Sequence, residues 1–117
     1  MGMGSGSRRA EDAVRPFYAA FHAQDRAAAE ALLGDDFTFT SPYDDHIGRD
    51  EFFRRCWPNA GQVRNFRLLA AFRDADEYVV LYECERTADG VRFRNCEHLR
   101  IEGGRVREAE VFFGRER

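Results

Sequence analysis

The stretch VRFRNCEHLRI, residues 91–101, decides the fold because its alternate residues form two distinct rows. One row is polar, and the other begins and ends with apolar residues: Val91, Phe93, Leu99 and Ile101. Since a strand points successive side chains to opposite faces, the second row predicts a core-facing surface. Its two middle positions are Asn95 and Glu97. A buried carboxyl beside a carboxamide is costly unless it is paired or has a function, so Glu97 is a candidate site residue.

The preceding segment EYVVLYECER, residues 77–86, is a second strand, and TADG at 87–90 is a hairpin turn signal. If the turn closes between Thr87 and Gly90, Tyr82 lies opposite Asn95 and Val80 lies opposite Glu97. Directly opposed residues share a face, so we expect all four to line one surface and Cys96 to lie on the other. A slip of one residue would reverse this assignment.

Outward from this hairpin, the chain reads as helices followed by an antiparallel meander. The predicted helices cover 7–25, 26–33 and 49–57, and the predicted strands cover 35–42, 66–73, 77–86, 91–101 and 106–114. The segment YDDHIG, residues 43–48, reads as a polar loop. This order predicts an α+β fold with helices on one face of a sheet. The other face carries Val79, Leu81 and, in the last strand, either Phe112 or its neighbours. Apolar residues on both faces predict a second cover for the sheet, most naturally another subunit.

Composition limits the functional classes. The 117 residues suffice for one domain, which we place at 10–117 after a flexible lead-in at 1–9. The formal net charge of −3 argues against nucleic acid or an anionic membrane as partner, and no apolar run reaches the length of a membrane helix. Three unclustered cysteines predict reduced thiols in the cytoplasm and no metal site. We therefore expect no cofactor.

Three segments together resemble the NTF2-like superfamily, nearest to its SnoaL-like and ketosteroid-isomerase-like members. They are AVRPFYAAFHAQDRAAAEALLGDDFTFTSP, IGRDEFFRRCWP and EHLRIEGGRVREAEVFFG, which span nearly all of residues 10–114. The resemblance implies a cone in which a curved antiparallel sheet wraps around three N-terminal helices and encloses an apolar pocket. It also implies a homodimer through the outer sheet face. The fold hosts enzymes, binding modules and assembly domains, so it does not specify the activity.

Only one of the three catalytic residues that the resemblance to the isomerases implies has a counterpart in this sequence. The base position falls on Ser41, which cannot serve as that base unaided, and the helical tyrosine position falls on Phe17, with Tyr18 one residue away. Only the acid of the penultimate strand is retained, as Glu97. Steroid isomerisation by that apparatus is therefore not expected.

Whether a second acid joins Glu97 in the pocket depends on the turn before the last strand and on the loop at residues 43–48. A tight turn at Gly103 and Gly104 would place Glu110 opposite Glu97, whereas a bulged turn would place Ala109, Val111 and Phe113 on the pocket face. We favour the bulged turn. Asp44, Asp45 or His46 could replace the missing base, although a solvated loop is the simpler interpretation.

These observations favour acid/base chemistry, of the isomerase, cyclase or dehydratase type, on a small hydrophobic molecule. Glu97 is the predicted catalytic residue, and the predicted pocket residues are Asn95, Tyr82, Tyr18, Trp57, Phe17, Phe53 and Phe113. The alternatives are a pocket that binds a small molecule without turnover, and a dimerisation or interaction module.

Overall fold

The structure is a computed structural model that describes residues 2–116, with side chains from Arg9 onward. The helices are α1 (Gly2–His22), α2 (Arg26–Leu32) and α3 (Arg49–Arg55), and a 3-10 helix covers Trp57–Gln62. The strands are β1 (Leu33–Ser41), β2 (Asp44–Gly48), β3 (Val63–Asp74), β4 (Glu77–Arg86), β5 (Arg92–Glu102) and β6 (Arg105–Glu116). The flexible lead-in expected at 1–9 stays a prediction, since Met1 and the side chains before Arg9 lie outside the described residues.

The six strands form one curved sheet in the order β2-β1-β6-β5-β4-β3. The α+β cone is therefore confirmed, with one correction to the expected antiparallel sheet. Strand β1 pairs with β6 in parallel, so the sheet is mixed. This follows because the chain passes from β1 through a hairpin, a helix and the meander before β6 returns alongside β1. Among residues 2–116, no helix is long and apolar enough to span a membrane.

The helices begin and end where local chemistry dictates. Asp25 caps α2 by accepting a hydrogen bond from the Ala28 amide at 3.1 Å. Helix α1 continues through Pro16, which removes one backbone donor but does not end the helix. Pro58 stands at the start of the 3-10 helix, where its fixed φ and missing N–H are tolerated.

The register of β4 and β5 is as predicted from the hairpin. Tyr82 pairs with Asn95 and Val80 pairs with Glu97, while Cys96 pairs with Leu81 on the opposite face. The inner face packs against α1 and α3 around a core whose most buried large side chains include Phe37, Leu33, Leu99 and Val14. Burial on this scale is the main stabilising contribution in a domain of this size.

Strands β5 and β6 show a register shift next to their turn. Glu102 pairs with Arg105 around Gly103 and Gly104, both at positive φ, so the turn itself has two residues. The register then shifts by one at Arg107, because Arg100 pairs with Glu108. The bulge puts Ala109, Val111 and Phe113 on the inner face, as favoured above, and Glu110 on the outer face opposite His98.

Strand β6 approaches β5 closely at Gly114. A Cβ at this position would lie 1.9 Å from the carbonyl oxygen of Arg94, which no side chain can accommodate without backbone movement. The Gly114 amide donates a hydrogen bond to Asn95 Oδ1 at 3.2 Å. Gly114 therefore fixes one wall of the site described next.

Candidate functional site

Glu97 is a buried carboxyl on the inner face of β5, flanked across the sheet by Val80 and Val111. Its Oε1 accepts a hydrogen bond from the Tyr18 hydroxyl at 2.9 Å. Burial raises the pKa of Glu97 from its usual 4.5 to about 7, and the hydrogen bonds from Tyr18 and Tyr82 oppose only part of this rise. A carboxyl with this pKa can both accept and release a proton near neutral pH.

Tyr18 supplies the hydroxyl from α1. Its ring is buried, stacks on Phe66 at 5.1 Å and lies 5.4 Å from the ring of Tyr82. Burial, followed by the charge of Glu97, raises the pKa of the Tyr18 phenol well above its usual value. The phenol therefore stays protonated and acts as a hydrogen-bond donor.

The resemblance placed the helical tyrosine position at Phe17, whereas in the structure Tyr18 is the residue of α1 whose hydroxyl meets Glu97. Adjacent helical residues point about 100° apart, so only one of the two can reach Glu97. Phe17 also borders the cavity, and it contacts Tyr18 edge-on at 5.1 Å. Phe17 is therefore part of the apolar wall.

Asn95 and Tyr82 form a second layer beside Glu97. Asn95 Nδ2 donates to the Tyr82 hydroxyl at 3.4 Å, while its Oδ1 accepts from the Gly114 amide. Both ends of the carboxamide are thus engaged within the protein. Asn95 therefore positions Tyr82, and Tyr82 in turn contacts the carboxyl of Glu97.

These groups border a cavity of about 590 Å³ enclosed by the sheet, α1 and the 3-10 helix. Six of the eight predicted site residues line it: Glu97, Asn95, Tyr82, Tyr18, Phe17 and Phe113. The remaining wall is mainly apolar, and six exposed residues border it where it meets solvent: Tyr43, Asn59, Gln62, Phe113, Gly114 and Glu116. A space of this size, with few polar groups on one wall, is typical of small-molecule sites.

Trp57 and Phe53 were predicted in the pocket wall, but they lie outside it among the described residues. Trp57 packs edge-on against Phe21 at 5.6 Å and contacts Phe53 at 5.4 Å. The guanidinium of Arg26 lies over the ring of Phe53, 4.2 Å from its centroid. Phe53 lies on α3 and Trp57 begins the 3-10 helix, and the two aromatics pack against each other outside the cavity wall.

The segment expected as a solvated loop is strand β2, and it brings one acid to the cavity. Asp44 accepts a hydrogen bond from the Ser41 hydroxyl at 3.2 Å and from the Cys56 thiol at 3.7 Å. Arg55 Nη2 lies 2.8 Å from Asp44 Oδ1, although not in hydrogen-bond alignment. Ser41, Asp44 and Cys56 all line the cavity, so a carboxylate held by an arginine stands beside the position where the isomerases keep their base.

Asp45 and His46 do not join Asp44 at the cavity. Both are exposed, and His46 Nδ1 lies 2.6 Å from Asp45 Oδ1. The hydrogen bond to Asp45 raises the pKa of His46. This pair belongs to the surface near Glu108, which lies 3.6 Å from His46 Nε2.

His22 is absent from the predicted site residues, but it lines the cavity. It lies four residues after Tyr18 on α1, so both side chains project from one helix face. Burial lowers the pKa of His22 to about 4, and the imidazole is neutral at pH 7. The spacing from Tyr18 was the available signal.

The cysteines and possible metal ligands offer no competing chemistry among residues 2–116. Burial raises the pKa of the Cys56 and Cys84 thiols to about 12, so they remain protonated and weakly nucleophilic. No group of three or more His, Cys, Asp or Glu side chains in this part of the chain could hold a metal ion. The arrangement is therefore suited to proton transfer and hydrogen bonding at Glu97.

Comparison with known families agrees with this architecture. The profile of the SnoaL-like domain family matches residues 14–109. No functionally curated protein matches the chain.

Solved structures share the fold over most of their length. A protein from Kribbella flavida is 23% identical with a TM-score of 0.80, covering 91% of this chain and 87% of that one. An LEH-like epoxide hydrolase from M. tuberculosis is 19% identical with a TM-score of 0.72, covering 92% and 84%. A ketosteroid isomerase candidate from K. flavida is 14% identical with a TM-score of 0.74, covering 93% and 80%. At these identities the likeness shows an NTF2-like fold and leaves the activity open.

Proposed function

Because the chain belongs to the SnoaL-like domain family, we propose that it is an acid/base catalyst that acts without a cofactor on a small hydrophobic carbonyl compound. The observation that carries the proposal is the buried Glu97 carboxyl in the cavity wall, hydrogen-bonded to Tyr18, with a pKa of about 7. Groups with a pKa near the working pH are the most effective proton-transfer catalysts.

The proposed step moves one proton. The ionised Glu97 carboxylate takes a proton from the carbon next to the carbonyl, and the electron pair of that C–H bond delocalises into an enolate. The single hydroxyl protons of Tyr18 and Tyr82 are directed at Glu97 while its carboxylate is ionised; once Glu97 holds the abstracted proton, these hydroxyls can donate to the enolate oxygen instead. Return of the proton from Glu97 to a different carbon of a conjugated enolate completes an isomerisation. In a dehydration, the hydroxyl on the next carbon leaves with this proton as water, which regenerates the Glu97 carboxylate.

The apolar wall supports this chemistry in two ways. It binds the hydrocarbon part of the substrate by excluding water. It also keeps the dielectric low around Glu97, which strengthens each hydrogen bond made to developing charge. Asp44, the second carboxylate of the cavity, is held by Arg55 and Ser41 and is available to accept a hydrogen bond from the substrate.

A second candidate is binding of the same class of molecule without turnover. It is favoured by Ser41, which stands at the base position and carries no acid. The two candidates differ in whether a bound ketone exchanges its protons.

The test is exchange of deuterium from solvent into the methyl group of acetophenone, followed by proton NMR. The protein should accelerate exchange, and Glu97→Gln should lower the rate at least about a hundredfold, since general acid/base groups contribute on this scale. Glu110→Gln is the matched control, because Glu110 lies on the outer face of the sheet opposite His98. Unchanged exchange in Glu97→Gln would refute the catalytic proposal, and binding without exchange in the unmodified protein would favour the second candidate.

We also propose a homodimer through the outer sheet face. Four large apolar residues are exposed there: Phe72, Val79, Leu81 and Phe112. Arginines predominate at one end of this face (Arg67, Arg92 and Arg94), and acids at the other (Glu77, Glu108 and Glu110). A second copy related by a two-fold axis can place opposite charges together over a shared apolar centre.

The free cysteines of the described chain suit a reducing compartment, so we propose a cytoplasmic location.

A further inference from the structure

His22 presents a polar group in the cavity that the proton-transfer step does not use. One face of its imidazole lies against Phe66, with ring centroids 4.5 Å apart, and Phe21 meets it edge-on at 5.3 Å. Phe66 packs on one face of the ring and Phe21 makes an edge contact, so the ring nitrogens are the polar groups of His22 that remain to interact with a ligand. Its side chain makes no hydrogen bond to any residue that the structure describes from Arg9 to Glu116.

The charges around the cavity narrow the class of ligand. Arg86 lines the cavity, but Asp89 Oδ2 and Glu116 Oε2 bind its guanidinium at 2.9 and 2.6 Å. The carboxylates of Asp44 and Glu116 also border the space. Within residues 9–116 the cavity wall therefore offers an anion no uncompensated positive charge, and a neutral ligand fits best.

We propose that His22 forms a second polar subsite of this cavity, one that binds a hydroxyl on a neutral, ring-containing ligand whose carbonyl group lies at Tyr18 and Glu97. The inference rests on the proposed function, because it takes Glu97 and Tyr18 as the carbonyl end. It adds the substrate class: an apolar ring system with one polar group at each end.

Helix geometry sets the separation of the two backbone positions from which the subsites project. Tyr18 and His22 are four residues apart, which corresponds to about 6 Å along the helix axis. A single aromatic ring that carries a ketone and a hydroxyl at opposite positions has oxygens separated by a comparable length. Phe17 and Phe21 alternate with these residues on the same helix and both line the space, so the ring has apolar contacts between the two polar ends.

The chemistry of His22 suits a hydroxyl in particular. Since burial keeps the imidazole neutral, one ring nitrogen donates and the other accepts. A hydroxyl can satisfy either nitrogen, whereas a ketone oxygen can only accept and an ammonium can only donate. The ring also stays uncharged when the ligand enters, so no ion is buried without a partner.

The experiment compares 4-hydroxyacetophenone with acetophenone, titrated into ¹⁵N-labelled protein at pH 7 and followed by amide and imidazole shifts. In the unmodified protein the hydroxylated probe should bind about threefold to tenfold more tightly, the range that one neutral hydrogen bond contributes. His22→Phe keeps a ring against Phe66 and should abolish the preference. His22→Gln retains a donor and an acceptor and should restore part of it.

Each outcome separates this inference from the proposed function. Equal affinity of the two probes in the unmodified protein, or a preference that persists in His22→Phe, would overturn the His22 subsite while leaving deuterium exchange at Glu97 intact. Failure of both probes to shift the resonances of Tyr18 and Glu97 would overturn the carbonyl end and the subsite together. Loss of exchange in His22→Phe with an unchanged preference would also count against the subsite, because it would indicate a role in the reaction rather than in hydroxyl binding.

Discussion

Replacing Glu97 with glutamine should stabilise the protein at alkaline pH and have much less effect at acid pH. Folding raises the pKa of this carboxyl from 4.5 to about 7, so the folded state binds the proton more tightly than the unfolded state. The stability that comes from the protonated form is therefore fully present below pH 4.5 and is lost as the pH rises through 7. Glutamine is neutral throughout and can still accept the hydrogen bond from Tyr18.

The size of this change in stability follows from the rise in the pKa of Glu97 on folding. A difference of about 2.5 units at roughly 1.4 kcal/mol per unit gives about 3 kcal/mol between pH 4 and pH 8. Urea unfolding at a series of pH values measures it as the free energy of unfolding of Glu97→Gln minus that of the unmodified protein. This difference should increase by about 3 kcal/mol over the range, and most of the rise should fall between pH 4.5 and 7.

Glu83→Gln is the matched control with the opposite sign. Glu83 is also poorly exposed, but it lies on the outer face of β4, and Arg94 Nε binds its Oε1 at 3.1 Å. The hydrogen bond from Arg94 lowers the pKa of Glu83, so its stabilising contribution is present at neutral pH and disappears on acidification. Parallel pH profiles for Glu97→Gln and the unmodified protein would refute the reasoning, because they would mean that Glu97 titrates normally in the folded state.

Three further changes test other parts of the structure. Tyr18→Phe should raise the pKa of Glu97 further, because it removes a hydrogen bond that favours the carboxylate, and carbon-13 NMR titration of the carboxyl measures this. Phe112→Arg should convert the proposed dimer to a monomer in analytical ultracentrifugation, and an unchanged mass would contradict the outer-face interface. Gly114→Ala should destabilise the protein by about 1–3 kcal/mol in urea because its Cβ meets backbone, whereas Gly61→Ala, whose Cβ meets only the side chain of Gln24 at 3.4 Å, should have little effect.

The hairpin of β4 and β5 was predictable from sequence because two independent signals agree there. Alternation fixes which residues share a face, and the short turn at residues 87–90 fixes which residues are opposed. Together they placed Tyr82 opposite Asn95 and Val80 opposite Glu97, and the structure has both pairs. The buried carboxyl was visible because Glu97, with its neighbour Asn95, interrupts a row that is apolar at both ends.

Other features depend on tertiary packing that no local pattern specifies. Phe17 and Tyr18 are both aromatic and both buried, so the sequence does not reveal which one faces Glu97. The rotation of α1 against the sheet decides it. His22 was missed for the same reason, since its role follows only once Tyr18 is known to point into the cavity.

The β1–β2 hairpin and the bulge in β6 show a second limit. The segment DDHIG has no apolar alternation, and it forms a strand because Thr38 and Phe39 of β1 pair with Gly48 and Ile47. The two-residue turn after β5 alone would have put Glu110 beside Glu97. The unpaired residue Arg107 shifts the register by one, so Glu110 lies on the outer face instead. The sequence of a β-bulge differs little from that of a regular strand, so the shift is hard to predict.

The pH dependence of deuterium exchange into acetophenone tests most directly whether Glu97 transfers the proton. If its carboxylate is the base, kcat/KM should rise with pH to a plateau, with a midpoint near 7. The midpoint should move upward in Tyr18→Phe, and the dependence should vanish with the activity in Glu97→Gln. A midpoint near 4.5, or a profile that persists in Glu97→Gln, would contradict the assignment of Glu97 as the proton-transfer group.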